Sequence, residues 1–240
     1  MAYQRTTTLH LMSAGIDLLD ASHILHFLEV VDAFGHVSLR NPDNSSQFLM
    51  FNSTRYEVEN ATAVGLTFNS SVVGAATPTG FAERFIHSEI YKKFPDVLAR
   101  FSPFANQAGV PLVSQMHTAP SLGSCGAPIF DVRTLPRTIL PDNQLHDLLG
   151  HGMAVRAASV RDVVFSSFYI KLDATVQLQG ILLGGGTAPN ALNQREVTDT
   201  GTTALTLVGR AWSLWVDQVD QIGLYTNDLR NKAAPTPTGF

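Results

Sequence analysis

The chain has 240 residues, 16 basic against 20 acidic for a net charge of −4, with 45% hydrophobic and 15% charged residues and a mean hydropathy of +0.08. That is a globular composition, too apolar for a disordered chain and without the basic excess that nucleic acid or an anionic membrane would demand. The single cysteine, Cys125, excludes an internal disulfide and a cysteine-rich zinc site, and suits a reducing compartment.

The N-terminus lacks the basic start and apolar run of a secretory signal, and no stretch reaches the ~20 apolar residues that span a bilayer, so a cytoplasmic protein is expected. From Ser13 to Val31, Ile16, Leu19, Ile24, Leu28 and Val31 recur at near-helical spacing and predict an amphipathic helix, ending in a turn at Phe34-Gly35. His36–Arg40 alternates like a half-buried strand, Asn41-Pro42-Asp43-Asn44 reads as a turn, and Phe48–Met50 as the return strand. Residues 62–76 are β-branched without helical period and predict one or two strands. Ala82–Phe94 reads as a helix with Phe85, Ile86, Ile90 and Phe94 inward, and with Glu83 and His87, four apart, on another face.

Between Pro103 and Pro141 the prolines predict loops with short edge strands around Val110–Val113 and Ala127–Phe130. Ser159 and Asp162 resemble a capping box opening a long helix through Val160, Val164, Phe168, Leu172 and Val176, stopped at Gly184-Gly185-Gly186. A last helix is predicted over Ala204–Val219. With no internal repeat or linker, the pattern predicts a single α/β domain over 1–230, helices flanking a mainly antiparallel sheet, and a mobile tail over 231–240.

Phosphate-cradling glycine motifs are absent, since the triple glycine follows a helix instead of opening one, and no Gly-x-Ser-x-Gly elbow marks a serine nucleophile. Among eight histidines, His36 and His151 stand beside glycines, which lets backbone approach a ligand and leaves an imidazole able to move protons or bind metal; a structural role for each is equally open. Glu83 is also open to a plainer role at a helix N-terminus, and Arg40 to a surface pair with Asp32 or Asp43.

Three segments, Val30–Pro42 with Gly35-His36-Val37-Ser38-Leu39-Arg40, Glu83–Tyr91 running on to Pro95-Asp96-Val97, and Gly150-His151-Gly152-Met153, occur in the order seen in the class II aldolase/adducin family, which the chain resembles from about Leu11 to Trp215. The resemblance implies a three-layer α/β/α domain with a central mainly antiparallel sheet. It also implies a homo-oligomer, a tetramer in most of the family, with sites at subunit interfaces. Family members hold zinc or another divalent metal through a His-x-His pair and a later histidine, and a glutamate moves the proton.

Under this resemblance Glu83 takes the place of the glutamate and His151 that of the third metal histidine. Gly35, His36, Ser38 and Arg40 match the segment that lines the substrate site, with His36 where sugar-phosphate aldolases carry Asn. His87 and His117 match histidines of the subgroup most like this chain. The His-x-His pair is missing: after Val97 the chain reads Leu98-Ala99-Arg100-Phe101-Ser102.

One histidine and one carboxylate are too few for a catalytic zinc site, so no metal cofactor is expected, and Arg100 stands ready to stabilise an oxyanion instead. The expected activity is that of a metal-independent lyase or isomerase. Glu83, His151 and His117 would move protons beside a carbonyl of a small substrate, a secondary metabolite among others, bound by His36, Ser38, Arg40, His87 and Arg100. Two alternatives stand beside it: a zinc site rebuilt from the remaining histidines with aldolase or decarboxylase chemistry, and a non-catalytic adducin-like interaction module.

Overall fold

A computed structural model of the chain describes residues 2–32, 35–50, 64–67, 87, 91–92, 98–102, 112–122, 124, 153–187 and 190–233. Helix α1 spans Ala2–Phe27, followed by strands β1 (Ser38–Arg40), β2 (Gln47–Met50), β3 (Val64–Thr67) and β4 (Leu98–Ser102). After a 3-10 turn at Pro120–Leu122 come β5 (Met153–Ala157) and helices α2 (Val160–Leu183), α3 (Gln194–Ile222) and α4 (Asp228–Ala233). Strands β1, β2 and β3 form an antiparallel sheet in that order, and β4 pairs with β5. The chain is of the α/β class. Its contacts divide it into one unit of residues 1–100, 156–164 and 212–240 and a second of residues 101–155 and 165–211. No helix among the described residues is long and apolar enough to cross a membrane.

In the first unit α1 is buried around most of its circumference between Leu18 and Leu25, with Leu18, Ala21 and Ile24 fully enclosed. It stops at Phe27, short of the Val31 that the apolar spacing predicts. The reason is a Schellman turn: the Val30 amide bonds Leu25 O at 2.9 Å, the Glu29 amide bonds His26 O at 2.9 Å, and Glu29 takes the left-handed conformation (φ 53°) that glycine usually fills there. Asp17 on α1 receives both Nε (3.2 Å) and Nη2 (3.0 Å) of Arg161, whose guanidinium also lies 5.1 Å from the Trp212 ring on α3.

The α1–α4 contact is closed by polar groups. Asn227 donates to Asp20 Oδ1 at 2.6 Å and to Ile16 O at 3.1 Å, while Arg230 bridges Asp20 and Asp220. A methyl group at Gly15 would come within 2.8 Å of Leu229, so the glycine admits this close approach. Tyr225 packs on the buried His23 ring (5.0 Å) and bonds His26 Nδ1. Helix α4 reaches Ala233, three residues into the segment expected to be a tail.

The predicted capping pair at the start of α2 forms on its serine side, with the Asp162 carboxylate returning to the Ser159 hydroxyl. The Asp162 amide bonds Ser159 Oγ at 3.1 Å, and that hydroxyl donates to Asp162 Oδ2 at 2.7 Å. The glycine stop also holds, with Gly185 and Gly186 at φ 64° and 94°. The predicted apolar stripe fails beyond Val164, because Leu172 and Val176 are exposed and the buried positions are Ser167, Ile170, Asp173 and Gln177. Helix α3 begins ten residues earlier than its apolar pattern predicts. A reciprocal cap opens it: the Glu196 amide bonds Asn193 Oδ1 at 3.0 Å, and the Asn193 amide bonds Glu196 Oε2 at 2.8 Å. Val197, Ala204, Val208, Trp212, Trp215 and Val219 then make one continuous buried face.

In the second unit Leu112, Ala119, Leu122, Val155 and Ile170 form a small apolar core. Of the edge strand predicted around Val110–Val113, residues 112 and 113 belong to no strand and the other two lie outside the described residues. The second predicted edge strand, Ala127–Phe130, lies outside the described residues.

Candidate functional site

Two periodicities bring the site together. In β1 and the residues leading into it, side chains alternate, so His36, Ser38 and Arg40 share one face. The antiparallel register sets Arg40 opposite Phe48 and Ser38 opposite Met50, which places Phe48 on that same face. His87 and Tyr91, four residues apart, each have helical backbone, a spacing that would give them a common face on a helix. The two faces meet.

Ser38 Oγ lies 2.6 Å from His87 Nδ1 and 2.9 Å from the Tyr91 hydroxyl. His87 Nε2 lies 2.7 Å from His36 Nδ1. The Phe48 ring stacks over both Tyr91 (5.1 Å, 29°) and His87 (6.2 Å, 23°). Ser38 and His87 are completely buried, Tyr91 and Phe48 nearly so, and His36 is 6% exposed. Burial pushes the His87 imidazole well below its ordinary pKa, and a positive charge on neighbouring His36 would push it further, so His87 is neutral at physiological pH.

Arg40 closes the edge of this cluster. Its Nη1 donates to Ser45 O (2.8 Å), its Nη2 to Tyr91 O (3.1 Å), and the guanidinium lies 4.7 Å from the Tyr91 ring centroid. It thus ties the hairpin loop to the helical segment. Of the five residues expected to bind substrate, four converge here, and the fifth, Arg100, lies on β4, where only its backbone is described.

His117 belongs to the second unit, on an exposed turn. That turn is anchored by Asp173, which accepts the Gln115 amide at 3.0 Å and the Met116 amide at 2.7 Å, and by Gln177, which accepts the Val113 amide at 3.0 Å. Burial raises the Asp173 carboxyl pKa above its ordinary value, and the two amides pull it partly back. Glu83 and His151, expected to move protons, lie outside the described residues.

Sequence reasoning missed Tyr91 and Phe48. It also placed the His87 face of its helix away from the interior, whereas His87 and Tyr91 are among the most deeply buried side chains. The signal was present in the four-residue step from His87 to Tyr91 and the two-residue steps from His36 to Arg40. Among the described residues no group of three or more His, Cys, Asp or Glu side chains is arranged to hold a metal ion. His87 in particular does not fit as a ligand, because each of its ring nitrogens is engaged, one with Ser38 and one with His36.

No family model matches the chain. The decarboxylase tropJ of Talaromyces stipitatus is 28% identical to it over 257 aligned positions, covering 87% of this chain and 95% of that protein. Among solved structures, an aldolase II superfamily protein from Pseudomonas syringae aligns with a TM-score of 0.64 at 16% identity, over 90% of this chain and 95% of that one. The L-fuculose 1-phosphate aldolase of Glaciozyma antarctica aligns equally well (TM-score 0.64, 16% identity), over 90% of this chain and 92% of that one. The resemblance carried by the three sequence motifs thus has its structural counterpart: the chain carries the class II aldolase superfamily fold.

Proposed function

We propose that the protein is a lyase that releases carbon dioxide from a small carbonyl-bearing acid, with acid–base chemistry carried by its own side chains. The observation that carries this reading is the buried imidazole pair His36–His87, bonded to Ser38 on the strand face where the resemblance puts the substrate. Similarity to a decarboxylase along nearly the whole chain favours carboxylate loss over the isomerisation, dehydration or cyclisation that the same groups would serve.

In such a reaction the bond to the carboxylate carbon breaks, its electron pair passes into the neighbouring carbonyl system, and the resulting carbanion takes one proton. Glu83, His151 and His117 are the proposed proton carriers, and Arg100 the cation facing the developing oxyanion. His36, slightly more exposed than Ser38 and His87, is the proposed substrate contact of the buried cluster, with Ser38, His87 and Arg40 as its proposed binding companions. The protein acts as a cytoplasmic homo-oligomer on this reading.

Zinc bound by a rebuilt histidine set is the competing reading. Incubating the purified protein with a panel of small aromatic and β-keto acids, carboxyl-labelled with carbon-13, and following labelled carbon dioxide by mass spectrometry tests the reaction class. Elemental analysis of the same sample tests the metal. Release of label by protein free of stoichiometric zinc, undiminished by a chelator, is the expected result. Stoichiometric zinc with chelator-sensitive turnover would replace the metal-independent reading.

A further inference from the structure

Beyond Val164 helix α2 is built inside out. Ser167, Asp173 and Gln177 are buried together with Ile170, whereas Leu172, Val176, Leu178, Leu182 and Leu183 stand exposed, Leu182 at 70% and Leu183 at 91%. Asp173 and Gln177 face inward for a local reason, because they hold the backbone amides of residues 113, 115 and 116. The outward leucines need a reason of their own. At 3.6 residues per turn they fall on an arc of about 160° opposite the buried face, the side where a helix facing water carries its charges. From Phe165 to Leu183 the sequence has two charged residues, Lys171 and Asp173, and Asp173 is turned inward.

Apolar area of this kind, poor in charge, has the composition of an interface core. Its extent fits one: the five side chains expose roughly 500 Å², close to the apolar part of a contact that covers about 800 Å² on each partner. The spacing selects the partner. Leu172, Val176, Gln179 and Leu183 lie in a stripe about 60° wide, and the steps between them, four, three and four residues, read the same from either end. Two antiparallel copies of the stripe, centred between residues 177 and 178, set Leu172 of each against Leu183 of the other and Val176 against Gln179. A two-fold contact requires this, since one patch must serve on both sides. The scarcity of charge also removes the repulsion that a charged surface meets in its own copy.

We propose that the outer face of α2 over residues 172–183 is the contact between two copies of this chain, paired antiparallel about a two-fold axis at the level of residues 177 and 178. Leu172, Val176 and Leu183 form its centre, and Leu178 and Leu182 border it. The contact gives a surface to the homo-oligomer of the function proposed above, and rests on that part of it alone; the reaction does not enter.

The test weighs the full chain in solution by sedimentation across a dilution series, unaltered and as Leu172→Glu with Leu183→Glu, which sets like charges opposite each other across the axis. The unaltered protein should contain at least two copies. The double variant should fall to half that mass or to the monomer, its association weakened roughly a thousandfold or more, with an unchanged circular dichroism spectrum. A second measurement marks the pairing itself. Gln179→Cys, in a chain whose own single cysteine is removed by Cys125→Ser, should join to its copy through a short bismaleimide, and the joining should be lost when Leu172→Glu and Leu183→Glu are added. A monomeric unaltered protein, a double variant of undiminished mass, or no cross-linked dimer through position 179 overturns the proposal. Should the double variant fail to fold, the cross-link decides alone. An oligomer that keeps its mass and forms no cross-link would remove this contact and leave the homo-oligomer standing. A monomer that still releases carbon dioxide would remove the contact and leave the lyase reading standing.

Discussion

The carboxylate of Asp173 caps two consecutive backbone amides, those of Gln115 and Met116, from the middle of helix α2. Asp173 is fully buried, so its removal leaves two enclosed donors without an acceptor, at roughly 1–3 kcal/mol for an unsatisfied buried group. Asp173→Ala should lower the urea midpoint by the equivalent of about 2–4 kcal/mol with an unchanged slope. Asp173→Asn keeps one acceptor oxygen and should lose about half as much. Hydrogen exchange at the Gln115 and Met116 amides should quicken in both, because the turn that carries His117 loosens.

Phe48 covers the imidazole cluster. Phe48→Ala should destabilise the protein by about 3–5 kcal/mol through the cavity it leaves, and Phe48→Leu by less. Both should admit water to His87, and its ring should then titrate closer to the ordinary histidine range, measurable by proton NMR against pH.

The reciprocal cap at the start of α3 is a separate test of local design. Asn193→Ala should cost about 1 kcal/mol and Glu196→Ala less, with faster amide exchange confined to the first turn of the helix.

His23 gives the pH dependence. Burial first, then the charges of Arg230 and His26, push its pKa from 6.5 to about 4 in the folded chain. The unfolded chain therefore binds this proton first on acidification, and stability falls as pH drops from about 6.5 to about 4. The loss approaches roughly 3 kcal/mol at 1.36 kcal/mol per pKa unit and levels off below the folded value. Asp20, whose folded pKa is raised chiefly by burial, takes up its proton more readily folded than unfolded and opposes this trend. Urea midpoints across that pH range for the unaltered protein and for His23→Gln isolate the histidine. The variant should show the shallower acid slope, and equal slopes would remove His23 as the cause.

The elements with local signals were legible in the sequence: the Ser159 cap, the glycine stop after α2, the β1–β2 hairpin and its turn. The end of α1 was not, because Glu29 fills a left-handed position without the glycine that normally announces it. Nor was the buried face of α2. Asp173 and Gln177 face inward to hold the backbone of residues 113–116, and an apolar count assigns that face to Leu172 and Val176 instead. For the candidate site, the strand residues and His87 were visible through the family resemblance. Tyr91 and Phe48 were not, since an aromatic side chain at a core spacing carries no sign that its hydroxyl or ring completes a polar row.

Because strand side chains switch sides at every step, the loop from Asn41 to Ser46 acts as a spacer whose length sets the chemistry. Lengthening or shortening it by one residue so that β1 slips against β2 would turn His36, Ser38 and Arg40 outward and bring Val37 and Leu39 into their place. Surface loops usually drift in size between relatives, but an insertion here would silence the imidazole pair without altering a single group in it.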